Sequence, residues 1–218
     1  MNDFSRTIVL GVIEGLTEFL PVSSTAHLRL AEPFLGISLD DPYWKMYSIV
    51  IQLGAILAVL LYFRQRIARF IRTYPAGATG RKTWLTHPLA LVILAFVVTA
   101  GPGFLIDHFT KTISQHLAML NYMAYALIAG GIAMIVVDLV CTRPDAKRVE
   151  DMGPLDAIWI GAWQIASAVF PGTSRSMATI AAGQTAGMSR ESALEFSFFL
   201  SMPTMFMATL YALFKAIH

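Results

Sequence analysis

Charge is absent from long stretches of the chain. Residues 46–63, 83–106, 112–137 and 196–214 contain no Asp, Glu, Lys or Arg. A helix needs about 20 mostly apolar residues to cross the hydrocarbon of a bilayer, so these runs predict four spans. Trp44, Tyr47 and Tyr62 flank the shortest as interface anchors. Pro102, between Gly101 and Gly103, is expected to end or kink the second.

Two further apolar stretches are interrupted. Residues 8–35 carry Glu14 and Glu18, then Pro21 and the hydroxyls Ser23, Ser24 and Thr25. Residues 157–189 hold one charge, Arg175, and are broken by Pro171-Gly172 followed by Thr173, Ser174 and Ser176. Each reads as two short helices around a polar break, the pattern of a re-entrant hairpin lining a site. The two align without gaps at an offset of 150: Gly11 with Gly161, Glu14 with Gln164, Thr17 with Ser167, Pro21 with Pro171, Ser23 with Thr173 and Ser24 with Ser174. Three spans lie between the breaks. An odd number inverts the second hairpin, so the pattern predicts an inverted-topology repeat with its site where the breaks meet.

The expected fold is therefore an all-α polytopic membrane protein with two re-entrant helix hairpins and about four full spans. It forms a single membrane-embedded domain over 1–218, with repeat one at 1–140 and an incomplete repeat two at 155–218. The first repeat has three spans after its hairpin and the second only one. Two spans that the symmetry asks for are absent, and a homo-oligomer through 196–214 is expected to cover the exposed break. Arg64, Arg66, Arg69, Arg72, Arg81 and Lys82 follow the first span, Lys111 alone the second, and Arg143, Lys147 and Arg148 the third. The first and third loops are then cytoplasmic. The Glu14–Ser24 hairpin enters from outside and the second hairpin from the cytoplasm.

Composition agrees. Residues of the AVILMFWYC set make up 56% of the 218 and charged residues 14%, against about 25% charged in a typical soluble domain. A disordered chain, a collagen-like chain and an ordinary soluble enzyme are excluded. The single Cys141 allows no intrachain disulfide, and no metal-type Cys/His cluster exists. A net charge of +2 gives no argument for nucleic acid.

The breaks carry the chemistry. Glu14 and Glu18 share one helix face and are costly inside a membrane segment, which marks function. The alternative is that they flank a water-filled vestibule or pair with Arg175. Gly11 and Gly15 have the spacing that lets helices approach closely. Ser23 or Ser24 caps the helix after Pro21, and Ser24 and His27, at i, i+3, suit nucleophilic or acid–base work as well as plain capping and packing. Arg175 opens the helix after the second break. Its fork and two helix N-termini suit an anion, most simply phosphate; the alternative is an arginine neutralised by Glu14 or Glu18. Asp138 and Cys141 read as interfacial, His108 and His116 as solvated in a short outer loop, and Met202, Met205 and Met207 as packing.

The stretches EGLTEFLPVSSTAHL (Glu14–Leu28), IQLGAILAVL (Ile51–Leu60), PGTSRSMAT (Pro171–Thr179) and EFSFFLSMPTM (Glu195–Met205) resemble the undecaprenyl-pyrophosphate phosphatase family of the bacitracin-resistance type. The resemblance runs in order over nearly the whole chain. It implies a multi-pass phosphatase of the bacterial inner membrane, its site open to the outer side, that removes the terminal phosphate of a polyprenyl pyrophosphate lipid and recycles the carrier for peptidoglycan. By motif position it implies Glu14, Glu18, Ser24 and His27 as catalytic. It makes Ser23, Thr25, Thr173, Ser174, Arg175 and Ser176 substrate-binding. It also implies a divalent cation, Mg²⁺ or Ca²⁺, for which Glu14 and Glu18 are the candidate ligands. Whether Ser24 or His27 is the nucleophile stays open. Three departures stand out. Ala26 and Met177 replace glycines usual in the family, Met177 being expected to narrow the pocket, and the chain stops where the family continues through two more spans. The rival readings are an anion or lipid transporter on the same repeat, and an inactive paralogue.

Overall fold

The computed structural model describes residues 2–75, 84–117, 120–141, 146–170 and 172–217. Ten α-helices order them: α1 (Asp3–Thr17), α2 (Ser24–Phe34), α3 (Pro42–Val50), α4 (Gln52–Tyr62), α5 (Arg64–Thr73), α6 (Pro88–Leu117), α7 (Leu120–Val140), α8 (Pro154–Val169), α9 (Arg175–Thr185) and α10 (Arg190–Ile217). The one extended pairing among the described residues is a bridge between Lys147 and Met188.

Among the described residues, three stretches are long and apolar enough to cross a membrane: Pro42–Tyr62, Leu120–Val140 and Arg190–Lys215. The expected fourth, in α6, counts as a shorter apolar helix over Pro88–Pro102. Capping explains why charge-free runs misplace the ends. Asp41 accepts a hydrogen bond from Tyr43 N (2.9 Å), with Pro42 at the first helical position, so the first span starts before the charged Lys45. The Nδ1 of His87 accepts from Leu89 N (3.2 Å) and starts α6 at Pro88, not at 83. That helix continues through Pro102 to Leu117. The backbone at 108, 111 and 116 is therefore helical where an outer loop was expected, and the next span begins at Leu120 rather than 112.

Other expectations also change. Trp44 is 5% exposed and packs with Leu10, Leu28 and Ile37, while the Tyr47 hydroxyl donates to Thr7 O (2.8 Å); neither reaches out as an interface anchor. Tyr62 is 82% exposed, as an anchor needs. Gly15 has no heavy atom within 4 Å of an added Cβ and Gly11 only the Tyr47 hydroxyl at 3.9 Å, so the close helix approach is not there. It lies at Gly161, where a Cβ would sit 2.5 Å from Ala95 O of α6. Thr99 Oγ1 donates to Gly161 O (2.9 Å) across the same contact.

Leu91, Ile160, Ile180, Phe196 and Leu200, all fully buried, join α6, α8, α9 and α10 into the main core. Arg66, on the helix expected as a basic loop, joins α5 to Glu195 of α10 (2.8 Å) and to Glu150. Burial works against its charge, but the Glu195 and Glu150 carboxylates prevail and raise its pKa. Asp138, expected to be merely interfacial, pairs with Arg190 (2.8 Å) and accepts from Gln184 (2.9 Å), fastening the end of α7 to α9 and α10.

Candidate active site

Both interrupted stretches are helix–break–helix: α1 and α2 flank one break, α8 and α9 the other. Pro171 itself lies outside the described residues. Each second helix is capped by a serine. Ser23 Oγ accepts from Ala26 N (3.4 Å), and Ser174 Oγ accepts from Met177 N (3.2 Å). Cap matches cap at an offset of 151, so the ungapped alignment slips by one: Ser24 stands opposite Arg175. Each break also needs a residue in the left-handed region. In the second it is Gly172 (φ 94°), where an added Cβ would fall 2.8 Å from the Met123 Cα of α7. In the first it is Ser23 (φ 61°), a strained state for a residue with a side chain. The Ser23 carbonyl is held there from both sides of His27, by its N–H (3.2 Å) and its Nδ1 (2.9 Å). A carbonyl only accepts, so Nδ1 carries a proton.

A cavity of about 280 Å³ lies between the two helix starts, lined by Glu18, Ser23, Ser24, Thr25, Ser167, Gly172, Thr173, Ser174, Arg175 and Ser176. Seven of those residues are sequence candidates for substrate binding or catalysis by position, and Glu18 makes eight. His27 and Glu14 are not in the lining. Ser167 and Gly172 were not singled out as site residues. Ser167 carried a signal, a hydroxyl one turn before the break in an apolar run.

One carboxylate joins the halves. Ser24 Oγ donates to Glu18 Oε2, and Arg175 Nη2 donates to Glu18 Oε1 (2.9 Å). Ser176 Oγ donates to the Glu18 backbone carbonyl (2.9 Å). The pairing of Arg175 with Glu18 and its fitness for an anion are compatible, because Nη1 of the same fork is buried without a partner. Met205, expected as packing, offers its sulfur to Nη2 at 3.5 Å. Met177 does not narrow the cavity. It reaches α7, where its Sδ would lie 2.3 Å from a Cβ placed on Gly130.

Glu14 sits one turn below Glu18, 2% exposed, with neither carboxylate oxygen hydrogen-bonded. No group of three or more His, Cys, Asp or Glu that could hold a metal occurs among the described residues. Two carboxylates one turn apart nevertheless suit a hard cation, since Mg²⁺ is commonly held by one or two carboxylates plus substrate oxygens. The free oxygens of Glu14 are the fitting donors.

One lining carboxylate, a half-free arginine and two helix N-termini around one cavity suit an anion in an apolar helical chain. The sequence profile of the family described as Bacitracin resistance protein BacA matches residues 7–218, and the chain belongs to that family. A relative from Koribacter versatilis (strain Ellin345), called undecaprenyl-diphosphatase, is 57% identical over 220 residues, which cover 100% of this chain and 75% of the relative. Relatives of the same name from Wolinella succinogenes and Thermoanaerobacter sp. (strain X514) are 44% and 41% identical, with 99% and 96% of this chain and 77% and 74% of theirs covered.

Proposed function

We propose that the chain is an undecaprenyl-diphosphatase, hydrolysing undecaprenyl pyrophosphate to undecaprenyl phosphate and inorganic phosphate and so recycling the lipid carrier for cell-wall synthesis. Family membership supports the reaction. The observation that supports the chemistry is the chain of contacts from Ser24 through Glu18 to Arg175, a hydroxyl, a carboxylate and a guanidinium fork lining one cavity.

Ser24 is the nucleophile. Its proton passes to Glu18, the Oγ–P bond forms at the terminal phosphorus, and the bridging P–O bond breaks with its electrons on the departing lipid phosphate. Glu18 hands that proton to the departing lipid phosphate and, a carboxylate again, takes one from the water that cleaves the phosphoserine Oγ–P bond, releasing inorganic phosphate and returning the Ser24 hydroxyl. Arg175 Nη1, buried without a partner, and the N–H groups that open α2 and α9 hold the phosphoryl oxygens as charge shifts among them. His27 acts through the Ser23 carbonyl, fixing the turn that aims Ser24. A divalent cation on Glu14, when bound, would supply charge neutralisation for the pyrophosphate.

The two helix–break–helix units are re-entrant hairpins of an inverted repeat in the bacterial inner membrane. The basic α5 lies at the cytoplasmic face and the cavity opens outward. The exposed Phe206, Leu210 and Phe214 of α10 face lipid or a second copy of the chain; cysteine crosslinking in membranes decides between them. The reaction is tested by phosphate release from undecaprenyl pyrophosphate with purified full chain, with and without chelator. Release that stops in chelator and returns with Mg²⁺ or Ca²⁺ is expected. Full turnover in excess chelator would remove the cation, and no release under any condition would remove the function.

A further inference from the structure

A second cavity of about 280 Å³ lies beside the first, and Thr25 borders both. Positions 25, 28, 29 and 32 of α2 line one wall, and positions 45, 48, 49 and 52 of α3–α4 the other. Both sets have the i, i+3, i+4, i+7 spacing of a single helix face, which is apolar where two helices merely pack. Here only Leu28 and Ile49 are apolar; Thr25, Arg29, Glu32, Lys45, Ser48 and Gln52 are not. Such a seam is costly among membrane helices unless it meets water or a ligand.

Its charges indicate the ligand. Arg29 and Lys45 outnumber Glu32, which disfavours a cation. Arg29 spends Nη1 on Leu39 O (3.3 Å) and joins no ion pair among the described residues. Lys45 is held at the rim by Asp40 (3.0 Å). Glu32 is 4% exposed and accepts from Ser48 Oγ (3.2 Å). A guanidinium fork and an ammonium match phosphate oxygens. A buried carboxylate between them would repel a fully ionised anion. It suits one that keeps an O–H, as inorganic phosphate does at neutral pH, because that proton needs an acceptor.

We propose that this cavity is a holding site for a phosphate group, occupied by the inorganic phosphate leaving the neighbouring active site past Thr25. It rests on the phosphatase reading for the source of the anion, not for its binding. Neither Thr25 nor Gln52 donates a side-chain hydrogen bond within the described residues, so both are available to the ligand.

The test is calorimetric titration of inorganic phosphate, and separately of sulfate, into the full chain in phosphatidylcholine nanodiscs. Arg175→Gln weakens the first cavity and serves as background. Phosphate binding should persist there and fall at least about tenfold on adding Arg29→Gln or Lys45→Gln. Sulfate should bind at least about tenfold more weakly than phosphate, and Glu32→Gln should narrow that gap. If the Arg175→Gln chain does not fold, Arg29→Gln in the otherwise unaltered chain should lower the bound phosphate from two per chain to one. Phosphate affinity indifferent to Arg29 and Lys45, or equal affinity for sulfate, overturns the proposal. Phosphatidic acid added to the nanodiscs separates the sources: if it displaces phosphate in an Arg29-dependent way, the occupant is a lipid phosphomonoester and the product role falls. No displacement supports the free product. Failure of lipid pyrophosphate hydrolysis would leave Arg29-dependent binding intact, so the two readings fail separately.

Discussion

Ser24 and Arg175 meet through one carboxylate, Glu18, and this contact decides what each substitution should do. With Ser24 as the proposed nucleophile, Ser24→Ala should lower the rate of phosphate release at least about 100-fold. His27→Ala loosens the Ser23 carbonyl without removing a reacting group, so its loss should be smaller; equal losses would place the imidazole in the chemistry. Arg175→Lys keeps the charge but not the fork that reaches Glu18 with one nitrogen and leaves the other free. It should cost at least about tenfold in kcat/KM, and near-normal turnover would mean that the phosphate is held elsewhere. Glu14, Glu18 and Arg175 were legible in the sequence because charges inside apolar runs need a reason. The Ser24–Glu18 hydrogen bond was not, because it closes across a turn whose path depends on the left-handed Ser23. The sulfur of Met205 beside Arg175 was not legible either, since methionine at such a position is ordinary packing.

At the scale of helices, the two interrupted stretches are alike in pattern and unequal in packing. The breaks were visible as Pro, Gly and hydroxyl clusters, and both fall between short helices. The ends of the spans were not, because charge-free runs ignore caps: Asp41 and His87 start helices at Pro42 and Pro88. Gly11 and Gly161 pair in the ungapped sequence alignment, yet only Gly161 would bring an added Cβ against backbone. Gly161→Ala should therefore push α8 from α6 and cost about 1–3 kcal/mol, as overpacking does. Gly11→Ala should be nearly neutral. Thermal unfolding in detergent compares the two, and equal effects would contradict the α6–α8 contact.

Across the whole molecule, ion pairs tie the helix ends together away from the site. Arg66 holds α5 against Glu150 and Glu195, and Arg190 holds Asp138. Arg66→Met would leave two partly buried carboxylates without their cation, so the protein should unfold at a temperature several degrees lower. The KM for lipid substrate should hardly move, because Arg66 does not line the active cavity; a large rise in KM would connect this cluster to the substrate. The account as a whole stands on phosphoryl transfer at Ser24. The direct measurement is a rapid acid quench of the full chain turning over undecaprenyl pyrophosphate labelled in its terminal phosphate, followed by peptide mass spectrometry. The label should appear on Ser24 and be absent in Ser24→Ala. Label on another residue, or undiminished phosphate release by Ser24→Ala, would contradict it.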